Sequence, residues 1–167
     1  MIKLEHHQRL YKNIFEREKK KLCVLLKKQR IKKIVHIGST SVPFCLNGGV
    51  VDILIGIPNM LDLLTFNNIL SRKGYKLLES QSSPSLLTFL INDDEGKLVA
   101  TLRIAEYATP EYNKYIAFKN FLIKEKNNVL LYNKFRQSAV EIYEGNEEKY
   151  SEAKDKYFFT IFGDKLL

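Results

Sequence analysis

The chain has 167 residues, 45% of them hydrophobic, and a formal net charge of +8 from 27 Lys and Arg against 19 Asp and Glu. That supports one ordinary hydrophobic core and argues against a disordered chain or several sizeable domains. The positive balance suits an anionic partner such as a nucleotide, nucleic acid or another polyanion, and carries no information about fold. Cys23 and Cys45 have neither the C-x-x-C spacing of a metal or redox site nor the density of a disulfide scaffold, so they read as reduced thiols. The first nine residues contain no apolar signal core, and no run approaches the roughly 18 apolar residues of a membrane helix. The expectation is a cytoplasmic protein that does not enter a membrane.

From Leu4 to about Gln29, Leu10, Ile14, Phe15, Leu22, Leu25 and Leu26 recur at helical spacing between charges, which predicts an amphipathic helix. Ile34 to Ile37 is short and β-branched, as in a buried strand, and Gly38 to Ser41 is a turn into a short helix. Asn47-Gly48-Gly49 is a second turn, leading to a strand from Val50 to Ile57. Pro58 starts a helix through Leu61, Leu63, Leu64, Ile69 and Leu70, closed by Gly74. Tyr75 to Leu78, Leu86 to Ile91 and Lys97 to Ala105 are three further strands, the last two joined as a hairpin through residues 92–96. After Pro110 the pattern becomes three helices, 111–126, 128–144 and 147–162, separated at Asn127-Asn128 and Gly145-Asn146. The order predicts one α+β domain over 1–167, with a leading helix and mixed sheet in 1–109 and a C-terminal helical bundle in 110–167.

Chemistry concentrates at His36-Ile37-Gly38-Ser39-Thr40-Ser41-Val42-Pro43, followed nine residues later by Asp52 inside Val50-Val51-Asp52-Ile53-Leu54-Ile55. A strand that breaks at Gly-Ser-Thr-Ser offers hydroxyls and free N–H groups to an anion such as phosphate. Ser39 and Thr40 equally suit the capping of a helix, and the two roles use the same donors. Asp is a poor strand former, so Asp52 requires either hydrogen-bond partners or a task, such as holding a cation against the phosphate. His36, at the end of a buried strand, reads first as a hydrogen-bonded structural group. His6 and His7 are adjacent on a helix, not at i and i+4, and read as surface residues rather than a metal pair. Tyr107, Tyr112 and Tyr115 have helical spacing and read first as core, with stacking on a base as the alternative.

These motifs, together with Val51-Asp52-Ile53, Phe118-Lys119-Asn120-Phe121-Leu122, Tyr132, Arg136 and Tyr150-Ser151-Glu152-Ala153-Lys154, make the chain resemble the GrpB family nearly end to end. The resemblance implies the nucleotidyltransferase fold of DNA polymerase β and the antibiotic nucleotidyltransferases. In that superfold the Gly-Ser turn holds the terminal phosphates of the nucleotide. Two carboxylates spaced Asp-x-Asp, with a third from a neighbouring strand, hold metal ions about 4 Å apart for in-line displacement. Carried over, Gly38 and Ser39 bind substrate, with Thr40 and Ser41 in the same turn, and Asp52 is the catalytic and Mg²⁺-binding carboxylate.

Several positions depart from the family pattern. The second carboxylate position is Leu54. Phe44-Cys45-Leu46-Asn47-Gly48-Gly49 replaces a Gly-Leu-x-x-Lys-Pro segment, removing a phosphate-reaching lysine. Thr101-Leu102-Arg103 replaces His-Leu-His. Fewer cation ligands and a new guanidinium favour an anion over Mg²⁺. Glu106 has the opposite strand parity from Thr101 and Arg103, so it joins them only if the strand bulges or ends there.

The resulting expectation is a GrpB-like protein that binds a nucleotide or other small phosphorylated ligand and transfers a nucleotidyl group to a small acceptor with Mg²⁺. Arg103, with Lys119, Arg136 or Lys154, would hold the pyrophosphate or an acidic acceptor, against ordinary ion pairing of the three helical residues. One alternative is a catalytically degenerate anion-binding or interaction module of the same fold. A second is a basic nucleic-acid-binding protein; it is not favoured, because Lys19-Lys20-Lys21, Lys27-Lys28, Arg30, Lys32-Lys33, Lys124, Lys126 and Lys134 read as solvated helix faces.

Overall fold

The computed structural model describes residues 4–5, 8–144 and 146–162; His6, His7 and Gly145 lie outside the described residues. The elements are α1 (Gln8–Leu25), β1 (Lys33–Ile37), β2 (Val51–Ile57), α2 (Leu63–Arg72), β3 (Lys76–Leu77), β4 (Leu86–Asn92), β5 (Leu98–Glu106), α3 (Pro110–Lys124), α4 (Lys126–Ile142) and α5 (Glu147–Phe162). They form an α+β fold around one five-stranded sheet of order β1-β2-β5-β4-β3. The sheet is mixed: β2 and β5 are parallel, and the other neighbouring pairs are antiparallel.

Helices cover the centre of the sheet on both faces, which is why β2 reads as an almost continuous apolar run. Ile53, Ile55 and Ile57 of β2 and Leu102 and Ile104 of β5 pack with Tyr11, Phe15 and Leu22 of α1, with Leu26 just after it, and with Leu63, Phe66 and Leu70 of α2. The opposite parity places Leu54 and Ala105 against Ile37, Leu86 and Tyr112 of α3. A third cluster, Val42, Cys45, Leu122, Val129 and Tyr132, seats α3 and α4 under the loop that follows the Gly38 turn.

Several boundaries differ from the sequence expectation for identifiable reasons. The leading helix is shorter, and Glu5 instead forms an isolated antiparallel bridge with Asn47. The helix after Gly38 is a single 3₁₀ turn, Ser39–Ser41. Asn59 is extended and its side chain accepts from the Leu61 N–H, so a 3₁₀ turn at Met60–Asp62 precedes α2. The third strand is only Lys76–Leu77. The break between α3 and α4 is the one extended residue Glu125, upstream of Asn127-Asn128, while Asn128 Nδ2 donates to the Phe121 carbonyl near the end of α3.

Leu54 is fully buried in its apolar cluster. A carboxylate at that position would lose its hydration beside Arg103, its register partner on β5, whose guanidinium is already bonded to Asp52. Leu54→Asp is expected to destabilise the fold by at least about 4 kcal/mol, whereas Leu54→Met should cost less than about 1.5 kcal/mol. Urea unfolding of the two variants measures the contrast.

Candidate functional site

Because β2 and β5 are parallel, their N-terminal ends lie together, and the C-terminal end of the antiparallel β1 meets them there. Asp52 is in register with Ile37 of β1 and with Thr101 of β5. At Gly38 the chain leaves β1 with φ +70°, and a Cβ at this position would stand 2.5 Å from Asp52 Oδ2. Glycine is therefore required twice, for the left-handed backbone and for the close approach to the carboxylate.

Asp52 Oδ1 accepts from Thr101 Oγ1 at 2.6 Å and from Arg103 Nη1 at 2.5 Å, and Arg103 Nη1 also reaches Thr101 Oγ1 at 2.9 Å. Residues 101 and 103 share a face of β5, so strand alternation alone delivers both groups to Asp52. The Arg103 guanidinium lies 5.3 Å from the Tyr115 ring centre, and its Nη2 donates to Gln81 Oε1 at 3.4 Å. Burial pushes the Asp52 carboxyl upward, but the charge of Arg103, the hydrogen bonds from Thr101 and Arg103 and the charge of Lys154 outweigh it and hold Asp52 below the usual carboxylate value.

The three helical basic residues converge on the same corner. Lys119 of α3 donates to the His36 carbonyl at 2.7 Å. Arg136 of α4 is 5% exposed; its Nη1 donates to Ser39 Oγ at 2.9 Å and the Leu46 carbonyl at 2.7 Å, and its Nε donates to Tyr150 OH at 2.7 Å. Lys154 of α5 stands 5.0 Å from the Tyr150 ring centre, with its charge felt at Asp52. Arg136 is thus a buried tie among α4, α5 and the turn rather than an open phosphate clamp. The hydroxyls are also mostly committed: Thr40 is buried with Oγ1 2.9 Å from His36 Nε2, and Ser41 Oγ donates to the Gly38 carbonyl at 2.7 Å. The turn's own backbone bonds use the N–H groups of Ser41 and Val42. The N–H groups of Ser39 and Thr40 have no acceptor in those bonds.

His36 is a structural group. It stacks on Phe15 with ring centres 4.8 Å apart, and burial, followed by the charge of Lys119, lowers its pKa to about 4 against the smaller opposing pull of Asp52. Tyr112 belongs to the core and Tyr115 supports Arg103. Glu106 does not join the site; its Oε2 accepts from the Met60 N–H at 3.0 Å. Sequence reading missed the platform role of Tyr115, whose position three residues after Tyr112 was the available signal. It also missed Asn133, which accepts from the Leu46 N–H and donates to the Phe44 carbonyl, pinning the loop after the turn.

A family model described as "GrpB protein" matches residues 1–163. The chain belongs to the GrpB family. The glutamate-rich protein GrpB of Alkalihalophilus pseudofirmus is 26% identical over 161 residues, covering 95% of this chain and 92% of that protein. The crystal structure of the conserved protein GrpB from Enterococcus faecalis superposes with a TM-score of 0.82 at 21% identity, covering 98% of this chain and 97% of that one. Cid1, studied as an RNA terminal uridylyl transferase, superposes at a TM-score of 0.56 with 11% identity over 83% of this chain and 42% of its own. A Cid1 poly(U) polymerase variant bound to MgATP gives 0.55 at 14% identity, over 90% of this chain and 50% of its own. This GrpB chain therefore has a nucleotidyltransferase-like fold.

The fold family implies Mg²⁺, and the donor set here does not suit it. Position 54 is apolar and buried, Asp52 Oδ1 is shared by a guanidinium and a hydroxyl, and Oδ2 faces the Gly38 backbone. Among the described residues no group of three or more His, Cys, Asp and Glu is placed to hold a metal ion. Mg²⁺ requires oxygen donors in near-octahedral array, and a guanidinium against the lone carboxylate repels it.

The His36 environment sets a pH dependence. Between pH 6.5 and about 4 the unfolded imidazole binds a proton that the native one refuses, so stability falls as pH falls through that window. Thermal melts across this range should show a shallower slope in His36→Gln than in the wild type; equal slopes would assign the dependence to other groups.

Proposed function

We propose that this GrpB chain binds a small phosphorylated ligand, with a nucleotide as the first candidate, at the Gly38–Ser39 turn, using Arg103 as its principal charge and no resident Mg²⁺. The observation carrying this reading is the charge balance of the corner. Arg103 pairs with Asp52 and the charge of Lys154 reaches it, while Lys119 and Arg136 bind the His36 carbonyl and Ser39 Oγ at the same turn, beside a histidine kept neutral by its surroundings. Such a corner attracts an anion.

An incoming phosphate competes with Asp52 for the Arg103 guanidinium, which has several N–H donors and a fixed aromatic platform in Tyr115. The N–H groups of Ser39 and Thr40 supply neutral donors next to it. The nucleotide is the first ligand to test because Cid1, which shares the fold, has been solved with MgATP and with a UTP analogue. Nucleotidyl transfer with Mg²⁺ is the weaker reading because the metal's donor set is incomplete. The catalytically degenerate anion-binding module fits the arrangement better.

Calorimetric titration with the four nucleoside triphosphates and with pyrophosphate, in Mg²⁺ and in EDTA, tests this. Arg103→Gln should weaken binding at least tenfold, the scale of a lost charge-assisted hydrogen bond. Asp52→Asn should cost about 2 kcal/mol of stability, less than a fully buried pair, because Asp52 keeps 28% and Arg103 16% side-chain exposure. It should nevertheless bind the anion at least as well as the wild type, since it releases Arg103. Binding that requires Mg²⁺ and disappears in Asp52→Asn would overturn the proposal in favour of a metal-dependent transferase site.

A further inference from the structure

Outside this corner, the charge of the chain is concentrated rather than spread. Residues 19–33 contain eight of the 27 Lys and Arg and no acidic residue, and the other 19 basic residues are matched by the 19 Asp and Glu. One short segment therefore carries the whole net charge of +8. It spans the last turns of α1, the connection to β1 and the first residue of that strand.

Burial of Leu22 and Leu26 in the core turns most of the neighbouring cations outward: Lys20, Lys21, Lys27, Lys28, Arg30, Lys32 and Lys33 are all exposed. Of the eight, only Lys21 makes an ion pair among the described residues, with Glu18, and Lys19 lies over the Phe15 ring. Lys20 and Lys21 border an open recess of about 510 Å³ with Val24, Leu25 and Lys73. The remaining like charges repel one another without compensation, a cost that a bound polyanion removes.

We propose that this surface binds the phosphate backbone of a nucleic-acid strand without regard to base sequence. Point charges distributed along a segment match a linear polyanion better than one compact anion. The segment has no aromatic residue for stacking on bases, which assigns recognition to the backbone. A membrane surface is the poorer match, because Tyr11, Phe15 and Leu22 of α1 and the following Leu26 are in the core and only Val24 stands exposed on the patch.

The patch also leads somewhere. Lys33 opens β1, an edge strand whose other end meets Gly38, and Lys119 is bound to the carbonyl of His36 on that same strand. The charge of Lys33, after burial, contributes to lowering the Lys119 pKa, so the two cations are electrostatic neighbours. A strand seated on the patch thus meets further positive charge along the sheet edge towards the Ser39 turn. The two readings meet at Lys119 and the Ser39 turn, but none of residues 19–33 belongs to the Arg103 site, so variants in that segment test this inference separately.

Fluorescence anisotropy of the full chain with a labelled oligonucleotide of about 20 nucleotides, over a series of KCl concentrations, is the test. Affinity should fall steeply with salt. The variant Lys27→Gln/Lys28→Gln/Arg30→Gln/Lys32→Gln should reduce the log–log slope by about 0.7 for each phosphate contact removed. Its melting temperature and its response to ATP should remain those of the wild type. Should the fourfold variant melt early, Lys27→Gln/Lys28→Gln gives the same reading at half the effect. Absence of binding at the lowest salt, undiminished binding in the folded variants, or binding to phosphatidylserine vesicles without binding to the oligonucleotide would each overturn the proposal. Loss of the ATP response with oligonucleotide binding intact would overturn only the small-anion reading.

Discussion

The ion pair between Asp52 and Arg103 is the constraint around which the corner of this fold is arranged. Asp52 interrupts a strand that is otherwise buried and apolar, so its charge requires compensation from within the sheet. The parallel pairing of β2 with β5 supplies it by putting Thr101 and Arg103 on the same face and within reach. α3 then supports the guanidinium through Tyr115, and Gly38 closes over the second carboxylate oxygen. Removing either charge leaves the other half-buried and unpaired, which is the costly outcome.

The same pair separates shared architecture from shared chemistry. The match to the GrpB family and the likeness to Cid1 give the fold alone. The groups that carry metal-dependent transfer depend on individual positions, and here Leu54 has joined the core while residue 103 is a cation. A fold held in common accommodates that change because the polar corner occupies one end of the strands, whereas the core fills their middle.

Much of this was legible in the sequence. Apolar periodicity located every major element, and the eight-residue run from His36 with Asp52 at its spacing pointed to the family and the corner. Strand parity predicted that Arg103 would share a face with Thr101 and that Glu106 would not. What escaped was the fate of polar groups whose partners lie far away in the chain. Arg136 reads as a cation for the ligand or for a surface ion pair, yet it is buried because Ser39, Leu46 and Tyr150 together satisfy its donors. Thr40 reads as a hydroxyl offered to a ligand, yet its neighbour His36 takes it inward. Neither outcome follows from local pattern, because each depends on how the helices after residue 110 dock on a turn near residue 40.

That docking has a consequence for assembly. The Ser39–Arg136 contact closes 97 residues of chain, the His36–Lys119 contact 83 and the Asp52–Arg103 pair 51. Long closures form after local ones because their entropy is lost before their contacts are gained. A chain emerging from the ribosome therefore builds the hairpin of β4 and β5 early and leaves the Gly-Ser turn without its arginine until α4 has been synthesised. Until then Ser39 Oγ and the Leu46 carbonyl lack their partner, and a truncation before Arg136 removes that tie altogether.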